Sequence, residues 1–489
     1  MENLRKIGKV GILRSREIDF SPIGIGFEKL DRGLFNPEGS YELLGDLGVK
    51  WVRIQSGWNR TETEKEVYNY SWLDRIVDRL IRHGMKPWLC LCYGNRLYDP
   101  AAAENFGGAG CPPRTEEAKK AWCRYVRETV SRYRGKISFF EIWNEPDGVW
   151  CWKHGPDGRE YGEFLNLTAA AVREADPKAK IIGGAICRFD LQWIADMLET
   201  GAGKNMDYLS YHGYNPDERI AVRKMRAVRA LCRKYNPDIG FIEGENGAQS
   251  CITSAGALYG ASWNPRKQAK LLARMMLLNL FNGAYFCSYF SCMDMAEGLN
   301  GKTGNPESIR DYAAFGVLSS HFNAYGIAEA PFTPKSSYRT LQVLCSIFGE
   351  SFEFCELPAV WDKSFVNGFP QAEPSWEIRR MDDSPDNLIY QGIRKRNGSS
   401  ALVYWTPKEL LTTEYSSVIS LEICEAEGAA HLVDILDGSI YELPSGMEES
   451  RGKNLRIFHH IPLKDHPLML AFGDFFRMDG TTTGLPDSP

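Results

Sequence analysis

Over most of the chain, compact apolar runs alternate with longer stretches whose apolar residues recur at three- and four-residue spacing. The first pattern predicts strands and the second amphipathic helices. The strand-like runs are "SPIGIGFEKL", "WVRIQ", "KPWLCLCYGN", "ISFFEIWNE", "AKIIGGAI", "MDYLSYHGY", "DIGFIEGEN" and "AYFCSYFS". The helical stretches that follow them in turn are "PEGSYELLGDLG", "SWLDRIVDRLIRHG", "TEEAKKAWCRYVRETVSRYRG", "YGEFLNLTAAAVREADP", "LQWIADMLETG", "DERIAVRKMRAVRALCRKY", "PRKQAKLLARMMLLNLFNG" and "SYRTLQVLCSIFG". Several end on glycine, a helix stop. Several strands are apolar on both faces, as parallel strands covered on both sides must be. Strand–helix units of this number, ending near residue 349, predict an α/β fold: a closed (β/α)8 TIM barrel. An open doubly wound sheet is the alternative. It would carry GxGxxG after its first strand, and "GIGFEK" does not.

Past residue 350 the helical period fades. "NLIYQGIRKR", "SSALVYWTP", "SVISLEI", "AAHLVDILDG" and "LRIFHHIPL" read as short strands between turn residues, and predict a smaller C-terminal β-sandwich. The expected domains are an N-terminal extension at 1–18, the barrel at 19–349 and the sandwich at 350–489. "GKVGILRS" in the extension is expected to pair with the sandwich.

Composition narrows the function. The net charge is −5 and no Lys/Arg block occurs, so the footprint of a nucleic-acid binder is missing. No apolar run reaches membrane-spanning length. "MENLRKIGKVGILRSREIDF" has no apolar signal-peptide core, which predicts a cytoplasmic protein. The 13 cysteines are odd in number and scattered through apolar strands, which reads as reduced core thiols. The eight histidines form no HExxH, and neither a metal nor an organic cofactor is expected. A homo-oligomer is left open.

In a (β/α)8 barrel the carboxyl ends of the strands converge on one face. Here those ends carry Glu28, Arg53, Gln55, Trp58, Tyr93, Asn95, Asn144, Glu145, His212, Tyr214, Glu243, Glu245, Asn246, Tyr289 and Ser291. Carboxylates at the tips of the fourth and seventh strands face each other across the mouth. Glycoside hydrolysis needs such a pair: one carboxyl protonates the leaving oxygen, and the other attacks the anomeric carbon or activates water. The acid needs a raised pKa, and its counterpart must stay ionised. Arg53 is placed to hold a carboxylate in its charged form, and His212 to orient one. Trp58, Tyr93, Tyr214, Trp150 and Trp152 are candidates for sugar stacking. Asn95 and Glu28 are candidate substrate contacts. For each aromatic, ordinary core packing is the competing reading.

"EIWNEP", with the strand order from about residue 20 to 350, resembles the clan A retaining glycoside hydrolases. The similarity is strongest to the family 39-like group, which includes β-xylosidases and α-L-iduronidases and carries a β-sandwich after the barrel. The resemblance implies that Glu145 is the acid/base and that Asn144 contacts the sugar 2-hydroxyl. It places the nucleophile in "FIEGENG", at Glu245 with Glu243 as runner-up, and Arg53 beside it. In a regular strand the two glutamates share a face, with Glu243 lower in the barrel near Arg53. Many members have Trp at the end of strand eight; "FCSYFSCMD" has none, and Tyr289 is the expected substitute. The expected activity is retaining hydrolysis of short oligosaccharides or glycosides, exo-acting. A transglycosylase using the same glutamates and a catalytically silent sugar-binding barrel are the alternatives. Arg96 and Arg188 are the cations considered for an acidic sugar.

Overall fold

The computed structural model describes the chain except residues 2–3, 255, 297–311, 363–387, 412–413, 453 and 480–489. The parts of the expected sandwich at 363–387 and 480–489 therefore lie outside the described residues.

Eight parallel strands close into a barrel in sequence order. They are β1 (Ile23–Gly26), β2 (Trp51–Gln55), β3 (Lys86–Leu91), β4 (Phe139–Ile142), β5 (Lys180–Ile186), β6 (Tyr208–His212), β7 (Gly240–Asn246) and β8 (Cys287–Tyr289). The helices α1 (Tyr41–Leu47), α2 (Ser71–Arg82), α3 (Glu116–Tyr133), α4 (Gly158–Ala175), α5 (Leu191–Glu199), α6 (Glu218–Tyr235), α7 (Pro265–Phe281) and α8 (Ser336–Ile347) follow the strands in turn. The expected TIM barrel is therefore present. Local chemistry starts the helices: Thr115, Asp157, Asp190, Asp217 and Asn264 each accept a backbone N–H of the helix they precede. Such a cap contributes about 1 kcal/mol. No helix among the described residues is long and apolar enough to cross a membrane.

The barrel floor is filled by Trp51, Trp88, Ile182, Ile242 and Phe286, with Trp51 stacked on Phe286 at 4.6 Å between ring centroids. Above that apolar layer the inward positions turn polar, and the chemistry begins there. One feature went unread in the sequence. Between β8 and α8 the chain makes a hairpin, Leu318–Phe322 with Ala328–Pro334.

Beyond α8 the chain forms two antiparallel sheets. Among the described residues the larger has seven strands, and one of its two edges is Arg5–Lys9, paired with Ser439–Glu442. The smaller joins Ala359–Asp362, Ser416–Cys424, Leu455–Lys464 and Glu448–Arg451. Leu402, Tyr404, Leu421, Ile423, Phe458, Leu470 and Phe472 form the core between them. The opposite face of the large sheet, through Val403, Trp405, Met469 and Ala471, joins the core of the barrel.

Charged groups lock that junction. Lys270 on α7 places Nζ 2.9 Å from both oxygens of Asp465 and 2.6 Å from Glu414. Arg274, one turn on, grips Glu218 of α6 and donates to the backbone carbonyls of Lys408 and Asp465. Removing one partner of a buried pair leaves the other charge stranded. Lys270→Met is expected to lower unfolding free energy by about 3–5 kcal/mol. Urea denaturation checks this, and an unmoved midpoint contradicts it.

Candidate active site

The mouth of the barrel is organised around Arg53 on β2, which is completely buried. Nε and Nη2 both donate to Glu141 Oε2, at 2.8 and 2.5 Å. Nη2 also donates to Asn144 Oδ1 at 2.8 Å. Nη1 donates to Glu28 Oε1 at 3.2 Å and to Glu245 Oε1. The guanidinium thus ties four strand ends together.

Glu145 follows β4 in an unusual backbone. Trp143 and Glu145, neither of them glycine, have φ of 70° and 46°. Such left-handed residues cost on the order of 1–3 kcal/mol each and gather at functional sites. Trp143 is held by its indole, which donates to the Cys151 carbonyl at 2.7 Å, and by aromatic edges from Tyr93, Trp122 and Trp152. Asp147 accepts from the backbone N–H groups of Cys187 and Arg188, which pins this loop to the end of β5. The Glu145 carboxylate meets His212 Nδ1 at 2.8 Å and accepts from Trp150 Nε1.

Glu245 lies opposite. Its Oε1 faces Arg53, and its Oε2 accepts from the Tyr214 hydroxyl at 2.7 Å. His212 Nδ1 is 3.6 Å from that same oxygen. One oxygen from each glutamate and a ring nitrogen of His212 all lie within 4.8 Å of one another.

The two carboxyls are driven apart in charge. Burial raises the pKa of Glu145, and the hydrogen bonds from His212 and Trp150 offset this only in part. Burial pushes Glu245 the same way, but His212, Arg53 and Tyr214 outweigh it and hold its carboxyl below the usual range. Such a split is the one that an acid working beside an ionised partner requires. Glu145, His212 and Glu245 are also the described group whose ligand atoms converge as a metal site requires. The carboxylate oxygens there already face Arg53, Tyr214 and Trp150, a lining of hydrogen-bond donors that suits anions rather than a cation.

Several sequence expectations are corrected. Glu243 and Glu245 do not share a face. The pairing of β7 with β6 shifts register between them, so the period-two rule fails there. Glu243 instead meets Asn246 at 2.7 Å, with Asn279 of α7 and Cys287 as further neighbours, and burial holds its carboxyl well up. Glu141 occupies the place beside Arg53 expected for Glu243. Trp58 is core: it stacks on Tyr98 and Tyr125 and donates to Glu62 at 2.5 Å. Asn95 ties the Trp58 and Glu62 carbonyls together. Trp152 is buried under Trp143 and Tyr161 and donates to Glu160. Tyr93 is buried, its ring under Arg32 and its hydroxyl toward Gln55 and Cys151. Tyr289 is buried and its hydroxyl bonds the Ala248 backbone, so it does not substitute for a platform. The next residue, Phe290, stands at the site instead, clustered with Phe315 and Tyr214 and with Lys29 Nζ 5.3 Å over its ring. Arg96 and Arg188 are exposed; Lys29 and Arg32 are further buried cations near the mouth, beside Arg53.

Sequence reading missed Glu141, Lys29, Arg32 and Phe290. Glu141 had a signal, a lone charge inside "ISFFEIW". Phe290 had none beyond its place next to Tyr289.

Similarity to known proteins agrees with this architecture. Fold and site define a (β/α)8 barrel of the paired-carboxylate kind, with accessory antiparallel sheets. Residues 44–233 match the family model described as glycosyl hydrolases family 39, so this part of the chain is similar to that family. It is 25% identical over 342 residues to a beta-xylosidase of Caldicellulosiruptor saccharolyticus, spanning 63% of this chain and 64% of that one. It is 28% identical over 159 residues to a beta-xylosidase of Geobacillus stearothermophilus, 31% of either chain. The matches thus span about a third and just under two thirds of these relatives. A family 39 glycoside hydrolase structure from Bacteroides cellulosilyticus WH2 superposes with a TM-score of 0.62 at 16% identity, covering 95% of this chain and 82% of that one. A monomeric beta-xylosidase from Caulobacter crescentus CB15 gives 0.58 at 15% identity, covering 96% and 97%.

Glu28 offers a test of this electrostatics. Burial pushes its carboxyl up from 4.5 to about 7, against the pull of Arg53 and with the help of Glu245. The folded protein therefore keeps a proton that the unfolded chain has lost. That contribution to stability is complete below 4.5 and disappears as pH rises through about 7. Glu28→Gln, which cannot ionise, is expected to flatten this part of the decline in thermal midpoint between about pH 5 and about pH 7.5. Equal slopes in wild type and variant contradict it.

Proposed function

We propose that the protein is a retaining glycoside hydrolase that removes a terminal xylose-type sugar from short glycosides. The observation that carries the reading is the approach of Glu145 and Glu245 around His212, within 4.8 Å, with their charge states split. Retaining enzymes hold their two carboxyls about 5–5.5 Å apart, whereas inverting ones leave about 6.5–9.5 Å for a water. The beta-xylosidase names of the two relatives support the sugar class. The carboxylate side chains are only 12% and 10% exposed, which supports a pocket for a chain end over an open cleft.

In this reading Glu145 gives its proton to the glycosidic oxygen as the bond to the anomeric carbon breaks. Glu245, kept ionised by Arg53 and Tyr214, attacks that carbon and forms the glycosyl-enzyme. Glu145, now a carboxylate, takes a proton from water, and the water displaces Glu245. The developing positive charge on the ring is matched by the Glu245 carboxylate. Asn144, fixed by Arg53 and by Cys151 Sγ at 3.3 Å, presents its amide to the sugar 2-hydroxyl. Trp150 and Phe290 form the aromatic walls. We place this chemistry in residues 19–349, with the sheets beyond as an accessory domain joined by the N-terminal strand. All 13 cysteines are free of disulfides, which supports a reducing, cytoplasmic setting.

A panel of nitrophenyl glycosides tests the proposal. The β-xyloside is expected to be cleaved. Glu145→Ala is expected to lose about 10²–10⁴-fold on substrates with poor leaving groups, and Glu245→Ala to lose turnover. Azide should rescue both, with retained product from the first and inverted product from the second. An active Glu245→Ala, or an inverted wild-type product, refutes the double displacement.

A further inference from the structure

His212 is polarised. Its Nδ1 looks out at both catalytic candidates, 2.8 Å from Glu145 and 3.6 Å from Glu245. Its Nε2, on the far edge of the ring, is buried and has no hydrogen-bond partner among the described residues. Ser210 sits two residues earlier on β6 and so shares the inward face. Its Oγ is likewise buried and unpartnered. The two atoms border the same place: a Cβ on Gly244 of β7 would collide with Ser210 Oγ and stand 3.2 Å from His212 Nε2. Gly244 lies within the register shift that turns Glu245 inward. An imidazolium held between two carboxylates needs an acceptor for its second N–H, and burial makes that need acute.

We propose that Ser210 is the positioning residue for His212, its hydroxyl taking the Nε2–H directly or through one buried water, beside the side-chain-free Gly244. The proposal rests on the catalytic reading of Glu145 and Glu245. Ser210 touches no substrate and acts only through the ring. The charged groups acting on His212 are Glu145 after β4, Glu245 on β7 and Arg53 on β2, and Tyr214 after β6, Cys187 after β5 and Lys224 on α6 line the same small cavity as its ring. The first two draw the proton onto Nδ1, and Ser210 completes the other edge. The consequence has a sign. The imidazolium lowers the pKa of both glutamates. A weaker imidazolium therefore leaves both holding their protons to higher pH.

The experiment compares wild type, Ser210→Ala and Gly244→Ala by the pH profile of kcat/KM and by ¹⁵N titration of the His212 ring. Ser210→Ala introduces no clash, so it decides even where Gly244→Ala folds poorly. In Ser210→Ala both limbs of the profile are expected to move up, and the His212 pKa down, by about half a unit to one unit, the size of one lost hydrogen bond. A high-resolution crystal structure should show Nε2 bonded to Ser210 or to a water shared with it. Reduced activity with unmoved limbs and an unmoved ring titration overturns the proposal. If the wild-type protein cleaves no glycoside, the catalytic reading falls, while the ring titration and the crystal structure still decide the Ser210 contact.

Discussion

One guanidinium holds this site together. Arg53 has five N–H groups, and they reach Glu28, Glu141 twice, Asn144 and Glu245. A lysine would offer three donors from a point and could not bridge β1, β2, β4 and β7 at once. The buried cation also rests 5.4 Å over Trp88, so the apolar floor and the polar mouth meet at this side chain. A buried charge is tolerable only when paired and fully hydrogen-bonded. The demand runs both ways: Arg53 needs its carboxylates, and their packing is feasible only because Arg53 is there.

The same residue explains why two similar glutamates differ. Arg53 donates to Glu245 and not to Glu145. Glu245 keeps cationic and phenolic partners against burial, while among the described residues Glu145 is hydrogen-bonded to His212 and the Trp150 indole. Burial alone would raise both carboxyls. The asymmetry of partners lets it raise one. Asn144 is fixed by the same guanidinium, so its amide and the ionised carboxylate are set by one side chain and cannot drift independently.

The barrel was legible because its signals were local and redundant. Most helices carried an amphipathic period, and several carried a cap and a glycine stop. "EIWNEP" was legible as an apolar strand that delivers a carboxylate to the barrel mouth. The errors share a cause. Trp58, Trp152, Tyr93 and Tyr289 were placed at the mouth because their sequence positions follow strands. Whether an aromatic near a strand end faces the cleft or folds back depends on neighbours far along the chain, such as Tyr98, Tyr125 and Tyr161. Phe290 was overlooked for the same reason. The hairpin at Leu318–Phe322 and Ala328–Pro334 is a mixed stretch without a period of its own.

The most instructive error concerns β7. Strict alternation gives Glu243 and Glu245 one face, and it fails by a single residue. Ile242 packs into the barrel floor, so Glu243 must point outward, where Asn246, Asn279 and Cys287 receive it. Continued alternation would have sent Glu245 outward as well. The register shift between Glu243 and Glu245 supplies the extra step that returns Glu245 to the mouth. Glycine at 244 makes that step possible, since any Cβ there would strike Ser210. The Glu245 carboxylate therefore owes its direction to an irregularity that period-two reading is built to ignore. The same irregularity sets Gly244 against Ser210 Oγ and the Nε2 edge of His212. The orientation of Glu245 and the underside of His212 are two results of one backbone deviation.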